Sequence, residues 1–311
     1  MRDITTVLHK LLQAVLVASV AAEATALAQT MSGGTVSGGR SPMATSQPTV
    51  DLSYARPFSP KEFSALPTIS RGLVMTAWAT RIRMSPDAGD PSLLGLMDMA
   101  LHDSDPSVRL LAMNILSSVE ARANIAKVRK QPVIINPADS PTLYQTLGAM
   151  LDDRDPVIRA RAVTAITLFE RPQKQGLERI LLDHFTAEQV PSVRARLIQA
   201  LAEFGMRGSE ASRKAVLSGF DDTSGGVREM TMQVAGHLQD PRALPYLIRN
   251  AAASDTGTRK SAIGAIAQYD SIAPAYLSQI QELFKSETDP ANRSQLESII
   301  ARLMSPKTAA K

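Results

Sequence analysis

The sequence contains no cysteine among its 311 residues. This absence excludes disulfides, thiolate metal sites, cysteine nucleophiles and a lipid attached to an N-terminal cysteine. Aromatic residues are also scarce, at 4% of the chain with a single tryptophan, whereas hydrophobic residues reach 44%. A core with so few rings is typical of helices packed through Leu, Ile, Val, Ala and Met, because strands favour β-branched and aromatic residues. The composition therefore predicts an all-α protein held together by packing.

The motifs of common active sites are absent as well. The chain has no HExxH, no GxSxG, no GxxxxGK[ST] and no GxGxxG. The carboxylate pairs Asp152-Asp153 and Asp221-Asp222 fall at predicted turns between helices, where capped or solvated side chains are expected. His102 and His184 fall at helix ends, where a cation interacts favourably with the helix dipole. We therefore expect no metal, no cofactor and no catalysis.

Residues 1–28 are typical of a secretory signal peptide. Positive charge near the start is followed by the apolar run Leu11–Ala22, and Ala26-Leu27-Ala28 forms a small-x-small cleavage site. The run is shorter than the roughly 20 apolar residues of a transmembrane helix. An uncleaved signal anchor and a buried amphipathic helix are the alternatives. We expect cleavage after Ala28, no transmembrane segment in the mature chain, and a periplasmic or secreted protein.

A turn of the form Asp-Pro-x-Val-Arg recurs six times, in complete or degenerate form, between residues 105 and 293. The arginines of successive turns are separated by 50, 35, 34, 31 and 34 residues. A stripe of apolar residues at three- and four-residue spacing follows each turn, and a shorter apolar segment precedes it. This pattern predicts an α-solenoid of about six antiparallel helix pairs.

The chemistry of the turn explains its residues. Asp before the second helix can accept hydrogen bonds from the free backbone N–H groups of that helix, and Pro suits its first position. Arg, one turn later, can reach the Asp of its own or the neighbouring repeat, which would align the charges into a ladder. Local capping with a solvated Arg is the alternative. Val190 and Ser224 replace the capping Asp in the third and fourth repeats. The ladder candidates are Asp105, Arg109, Asp155, Arg159, Arg194, Arg228, Asp255, Arg259, Asp289 and Arg293.

Over residues 91–304 this pattern resembles HEAT repeats, with Asp-Pro-x-Val-Arg as the motif that carries the resemblance. The resemblance implies antiparallel helix pairs stacked into a right-handed superhelix with an extended concave binding surface. The period of about 34 residues looks most like the short bacterial HEAT-like repeats of the phycobilin-lyase type. Tetratricopeptide repeats are the nearest rival, but their Trp, Gly and Tyr landmarks are missing.

The segments outside the repeats have distinct compositions. Residues 29–60 are rich in Gly, Ser, Thr and Pro and predict a disordered linker, because they bury too little surface to offset the entropy of ordering. Residues 61–90 predict a helix that caps the first repeat, as the end of a solenoid requires. Residues 132–141 interrupt the period, as a binding loop or a tolerated surface insertion, and residues 305–311 form a basic tail.

Six basic residues are candidates for contact with a partner. Arg161 and Arg196 each follow a motif arginine by two residues, which turns them by about 200° around the helix. We expect them on the concave face, with scattered solvated side chains as the alternative. A second group extends the second helix of the first repeat, as an anion-contacting patch or a solvated helix end: Arg122, Lys127, Arg129 and Lys130.

Three classes of function follow from these features. A non-catalytic, extracytoplasmic scaffold that binds a protein partner on its concave face agrees best with them. An enzyme or accessory protein of the HEAT-like lyase or glycosylase type is the alternative that the resemblance implies. Nucleic-acid or polyanion binding is the third, but a net charge of +4 is small for a ligand whose affinity comes from many phosphate contacts.

Overall fold

The computed structural model describes residues 52–84, 92–128, 141–168 and 174–305. Within these ranges the regular structure consists of fourteen α-helices and short 3-10 turns, without strands, which confirms the predicted all-α class. The signal peptide, most of the linker, Arg129 and Lys130, most of the 132–141 insertion and nearly all of the tail lie outside the described residues. The side chains of Arg122 and Lys127 also lie outside them.

Six helix pairs follow two N-terminal helices, α1 (Pro60–Ala65) and α2 (Thr68–Met84). In each pair a shorter first helix is joined to a longer second helix by a brief turn, as the sequence predicts. The pairs are α3 (Ser92–Leu101) with α4 (Pro106–Val128), α5 (Pro141–Ala149) with α6 (Pro156–Leu168), α7 (Lys174–Ala187) with α8 (Pro191–Met206), α9 (Glu210–Ser218) with α10 (Gly225–Leu238), α11 (Leu244–Ala251) with α12 (Thr256–Ala267), and α13 (Leu277–Ser286) with α14 (Pro290–Met304).

The chain forms two compact units, which divide after Arg171. In the first unit α2 packs on α4, and α4 packs on α6, while α3 lies against α4 and α5. Because α4 is enclosed on several sides, residues 111–117 are all buried, and they include the polar Asn114 and Ser117. Trp78 of α2 is also fully buried. The single tryptophan therefore belongs to the core of this unit.

The second unit, from Pro172 onward, repeats one arrangement four times. The second helices α8, α10, α12 and α14 stack side by side. The first helices α7, α11 and α13 pack mainly on their own partners, whereas α9 packs mainly on α8 of the preceding repeat. Ile263 and Ile266 of α12 are fully buried in a cluster with Leu247, Leu283 and Leu296 from the neighbouring helices. Each repeat thus completes its apolar core with residues of the next one, which is the principle of a solenoid.

Residues 52–60, expected as the end of the linker, pack against α2. The indole Nε1 of Trp78 donates to the carbonyl of Arg56 at 3.2 Å, and Arg81 donates to the carbonyl of Ala55 at 2.6 Å. Ser59 and Glu62 form a capping box at the start of α1. The ordered body therefore begins before residue 61, because the buried tryptophan needs an acceptor for its N–H group.

Helices α10 and α12 approach each other closely at Gly236. A Cβ atom at this position would lie 2.9 Å from the side chain of Gln268 and 3.0 Å from the Cα of Ala265. Gly264, in the middle of α12, has no such neighbour within 4 Å. The contact between the two second helices therefore depends on one glycine and is independent of the other.

We predict that Gly236→Ala lowers the free energy of unfolding by about 1–3 kcal/mol, because the added methyl group overpacks the contact between helices. Gly264→Ala is the matched control, and we expect it to raise the same quantity by about 0.5–1 kcal/mol through helix propensity. Urea denaturation of the two variants measures both effects. Equal effects of the two substitutions would contradict the close approach at Gly236.

Candidate functional site

The guanidinium group of the motif arginine closes the turn inside each repeat. In all six motif arginines Nη1 donates to the carbonyl six residues earlier. Five of them also reach the carbonyl five residues earlier, as Arg194 does to Gln189 at 2.6 Å. These carbonyls follow the end of the first helix and lack partners within it. The arginine therefore supplies the donors that the turn needs.

The remaining nitrogens of the arginine, Nε and Nη2, bind the next repeat. Nε and Nη2 of Arg194 lie 2.8 and 2.9 Å from the two carboxylate oxygens of Asp222. Two further arginines make the same bidentate contact at 2.9–3.1 Å, in the pairs Arg109–Asp153 and Arg259–Glu287. Charge-assisted bidentate pairs are the strong class of hydrogen bond. We call the Nε–Nη2 edge the fork and each such pair a rung.

Each rung carboxylate lies six residues before the arginine of its own repeat and is held by its own backbone. The N–H two residues further on donates to it, at 2.8 Å from Ser224 to Asp222 and 2.9 Å from Asp289 to Glu287. The same contact joins Asp105 to Asp103. A complete rung therefore gathers at least three N–H donors around one carboxylate, two from the fork and one from the backbone.

Arg71 of α2 also belongs to the ladder, although the repeated motif does not predict it. Its fork pairs with Asp103, with Nη2 at 3.0 Å from Oδ1, and its Nη1 donates to the carbonyl of Leu66 at 2.6 Å. Arg71 lies 38 residues before Arg109, close to the repeat period, and Pro67 stands four residues before it. The predicted capping helix is therefore the second helix of a degenerate repeat, and this spacing was the signal that could have revealed it.

The predicted ladder carboxylates were the wrong ones. Asp255 and Asp289, four residues before their arginines, accept hydrogen bonds from Thr258 at 2.6 Å and from Asn292 at 2.9 Å in their own helices. Asp105 and Asp155 likewise accept from the N–H two residues further on. An Asp at the N-cap is directed at the free N–H groups of its own helix, so it is not available to the preceding repeat.

In two rungs the carboxylate is largely buried, and its arginine partner lowers its pKa. The fork of Arg259 lowers the pKa of Glu287 to about 2, and the side chains of the pair are only 14% and 2% exposed. The hydrogen bonds from Arg194 lower the pKa of Asp222 in the same way. Both carboxylates are therefore charged in their rungs at neutral pH.

The ladder is interrupted between the fourth and fifth repeats. Ala253 occupies the position of the rung carboxylate in the fifth repeat. Arg228 still closes its own turn, with Nη1 at 2.7 Å from the carbonyl of Asp222 and 3.0 Å from that of Thr223. Within the described ranges, neither the fork of Arg228 nor the backbone N–H of Asp255 has a hydrogen-bond acceptor. We call this position the ladder gap.

A cavity of about 230 Å³ adjoins the same turn. Small side chains leave this space, and the Arg259–Glu287 rung borders it. The lining residues are Ala251, Ala252, Ala253, Arg259, Leu283, Ser286, Glu287 and Thr288. The turn that lacks the rung carboxylate is therefore also bordered by open space.

The arginines predicted to contact a partner lie on second helices. Arg196 is half-buried on α8, and its Nη1 donates to Gln199 at 3.1 Å. Arg161 is half-buried on α6. Met230 and Ser261 occupy the position of Arg196 in the two following repeats, so no basic stripe continues through the second unit.

On α8, α10 and α12 the side opposite the buried core remains exposed or half-exposed. The i, i+3 and i, i+4 relations place its residues on one side of each helix. We call this surface the second-helix face and define it by Arg196, Gln199, Glu229, Gln233 and Lys260. It is polar and carries both signs of charge.

In the described part of the chain, no helix combines the length and the apolar character that crossing a membrane requires. Among the same residues, no three or more His, Asp or Glu side chains form a group placed to hold a metal ion.

Comparison with known proteins agrees with this architecture. The family model for HEAT repeats matches residues 178–267. This segment is therefore similar to HEAT repeats. No curated protein matches the chain.

Similar solved structures include three that share little sequence identity with the chain. Escherichia coli YibA is 14% identical, with a TM-score of 0.48, over 81% of this chain and 99% of that one. Human deoxyhypusine hydroxylase is 16% identical, with a TM-score of 0.34, over 78% and 93%. A designed armadillo repeat protein is 14% identical, with a TM-score of 0.34, over 78% and 99%.

The prediction that the chain is not an enzyme is corrected by one of these structures. The human protein is a hydroxylase, so a similar helical architecture occurs in an enzyme. Helix pairs of this kind therefore do not exclude catalysis, and a TM-score of 0.34 does not assign an activity to this chain.

We predict that Glu287→Gln lowers the free energy of unfolding by about 1.5–3 kcal/mol above pH 5, because the fork of Arg259 loses its charged partner. The folded-state pKa of Glu287, about 2, lies below its ordinary value of 4.5, so its stabilisation is present above pH 4.5 and is lost as the pH falls toward 2. The difference between wild type and variant should shrink over that window. Urea titrations from pH 7 to pH 2 measure it.

The control is Glu282→Gln, which removes an exposed carboxylate paired with Lys285 on α13. An exposed pair of this kind contributes little, so this variant should match the wild type at every pH. A pH-independent difference between wild type and Glu287→Gln would contradict the rung as the source of the stabilisation.

Proposed function

We propose that the chain is an extracytoplasmic interaction scaffold that binds a protein partner on the second-helix face. The similarity of residues 178–267 to HEAT repeats supports this proposal, because stacked repeats offer extended surfaces for binding. The second-helix face supports it by its exposure and its polar, mixed-charge character.

The observation that carries the proposal is the division of each second helix into two sides. One side is buried and is joined to its neighbours by core packing and by rungs such as Arg194–Asp222. The opposite side presents Arg196, Gln199 and Gln233 to solvent. A surface whose helices are already held in register loses less conformational freedom on binding than a flexible one.

The charges of this surface favour a protein over a polyanion. Glu203 and Glu229 accompany Arg196 and Lys260 on the exposed sides of α8, α10 and α12. A phosphate backbone requires a run of cations, whereas a protein partner can match alternating signs. The face therefore suits a partner with complementary charges of both signs.

The extracytoplasmic part of the proposal rests on residues 1–28. The tripartite order of the segment is typical of export. The described body is held by apolar packing and ion pairs, so its stability does not depend on disulfide formation after export.

We predict that Arg196→Glu weakens partner binding at least about tenfold, a change of about 1.4 kcal/mol, because it reverses one charge of the face. The partner is first captured from an extracytoplasmic fraction, and its affinity for each variant is then measured by calorimetry. Arg179→Glu is the matched control, because it makes the same charge change on the first helix of the same repeat, at a side chain 88% exposed. Equal affinity of the two variants would remove the second-helix face as the site.

Expression of the full chain with a C-terminal tag tests the export step. We expect the tagged protein outside the cytoplasm, and we expect Edman sequencing to begin at Gln29, because Ala26-Leu27-Ala28 is the recognised cleavage site. A chain that stays in the cytoplasm with its first residues intact would refute the proposed compartment and leave the binding face untouched.

A further inference from the structure

The ladder gap retains the donors of a rung and lacks only the carboxylate. In the rung of Arg194, two fork nitrogens and the backbone N–H of Ser224 meet at the carboxylate of Asp222, at 2.8–2.9 Å. The equivalent donors in the gap are the fork of Arg228 and the backbone N–H of Asp255. Both lack an acceptor among the described residues.

The fork of Arg228 is held in place before any ligand binds. Its Nη1 makes the same two carbonyl contacts as four of the other five motif arginines, which fixes the plane of the guanidinium. Rungs on either side show what this plane accepts, since both Arg194 and Arg259 bind a carboxylate bidentately. A planar fork matches the two oxygens of a carboxylate in geometry and charge.

The gap is also accessible. Gly225 follows the turn on the Arg228 side, and even a Cβ added there would lie 3.7 Å from Nη2, so no side chain covers the fork from this direction. Asp255 and Ala252 are exposed, and Ala253 is half-buried. The carboxylate of Asp255 accepts a hydrogen bond from the N–H of Thr258, and this contact directs the carboxylate toward its own helix.

We propose that the ladder gap is a carboxylate-binding site, and that an aspartate or glutamate side chain of the protein partner occupies it. This proposal rests on the proposed function, because the occupant is an acidic side chain of the partner that the scaffold binds. The partner side chain completes the rung that Ala253 leaves open, with two hydrogen bonds from Arg228 and one from the N–H of Asp255. The net charge of +4 favours the approach of an acidic partner.

A single substitution can supply the missing carboxylate from the chain itself. Ala253→Asp places a carboxylate at the rung position, where Asp222 and Asp153 stand in other repeats. It should raise the melting temperature by about 2–4 °C, the shift expected for one added rung in a unit of this size. Ala252→Asp is the matched control, because it adds the same charge one residue earlier, outside the rung position. A melting temperature that falls in Ala253→Asp would overturn the assigned geometry.

Binding itself is tested without the partner. Sodium acetate, the simplest analogue of the side chain, is titrated at constant ionic strength into the ¹⁵N-labelled full chain. We expect saturable shifts of the Asp255 amide and the Arg228 Nε–H resonances, and no acetate response at either group in Ala253→Asp. The absence of a saturable shift in wild type, or the same response in both proteins, would overturn the site. Inorganic phosphate is the second probe, and a stronger saturable response to phosphate would overturn the carboxylate assignment.

Measurement of partner affinity identifies the occupant of the ladder gap. We expect Ala253→Asp to weaken binding of the captured partner at least about tenfold, while Ala252→Asp binds as wild type does. Acetate binding combined with unchanged partner affinity in Ala253→Asp would reject the partner side chain as the occupant. Because the acetate titration needs no partner, failure of the gap and failure of the scaffold proposal give different results.

Discussion

The bidentate contact between an arginine of one repeat and a carboxylate of the next is the interaction on which the arrangement of the helices depends. One guanidinium group both closes its own turn and holds the following repeat, as Arg194 and Arg259 show. Apolar burial supplies most of the stabilisation, and paired charges rarely add much net free energy, since their desolvation offsets their attraction. The rung adds geometric specificity to this burial, because a bidentate contact fits one alignment of neighbouring second helices best.

The helical architecture was predictable because two signals agreed. Apolar spacing located the helices, and the regular arginines located the turns, so α3 to α14 lie close to where the sequence places them. The degenerate repeat around Arg71 was not predicted because only its arginine survives from the motif, and Pro67 stands at the position of the motif aspartate. The folded segment before α1 was not predicted, because its composition is that of a linker. Its order comes from hydrogen bonds to Trp78 and Arg81.

The existence of a ladder and its arginines could be predicted from the sequence, but its carboxylates could not. The arginines are constant in the sequence and therefore visible, whereas the rung position varies among Asp, Glu and Ala and carries no motif. The aspartates that are visible belong to the helix caps. Which acceptor a guanidinium meets depends on the direction of the turn backbone, and sequence spacing does not contain that direction. The alanine at position 253 can be recognised as a missing carboxylate only by comparison with the complete rungs.

The junction between the fourth and fifth repeats combines this gap with the close helix contact at Gly236. At the far end of the same helices, the side chain of Gln239 donates to the carbonyl of Gln268, and the hydroxyl of Tyr269 donates to the carbonyl of Asp240 at 2.9 Å. Hydrogen bonds therefore join the two repeats at the C-terminal ends of their second helices, whereas the N-terminal ends lack a rung. A carboxylate that fills the gap would restrain the angle between α10 and α12 at both ends of their contact.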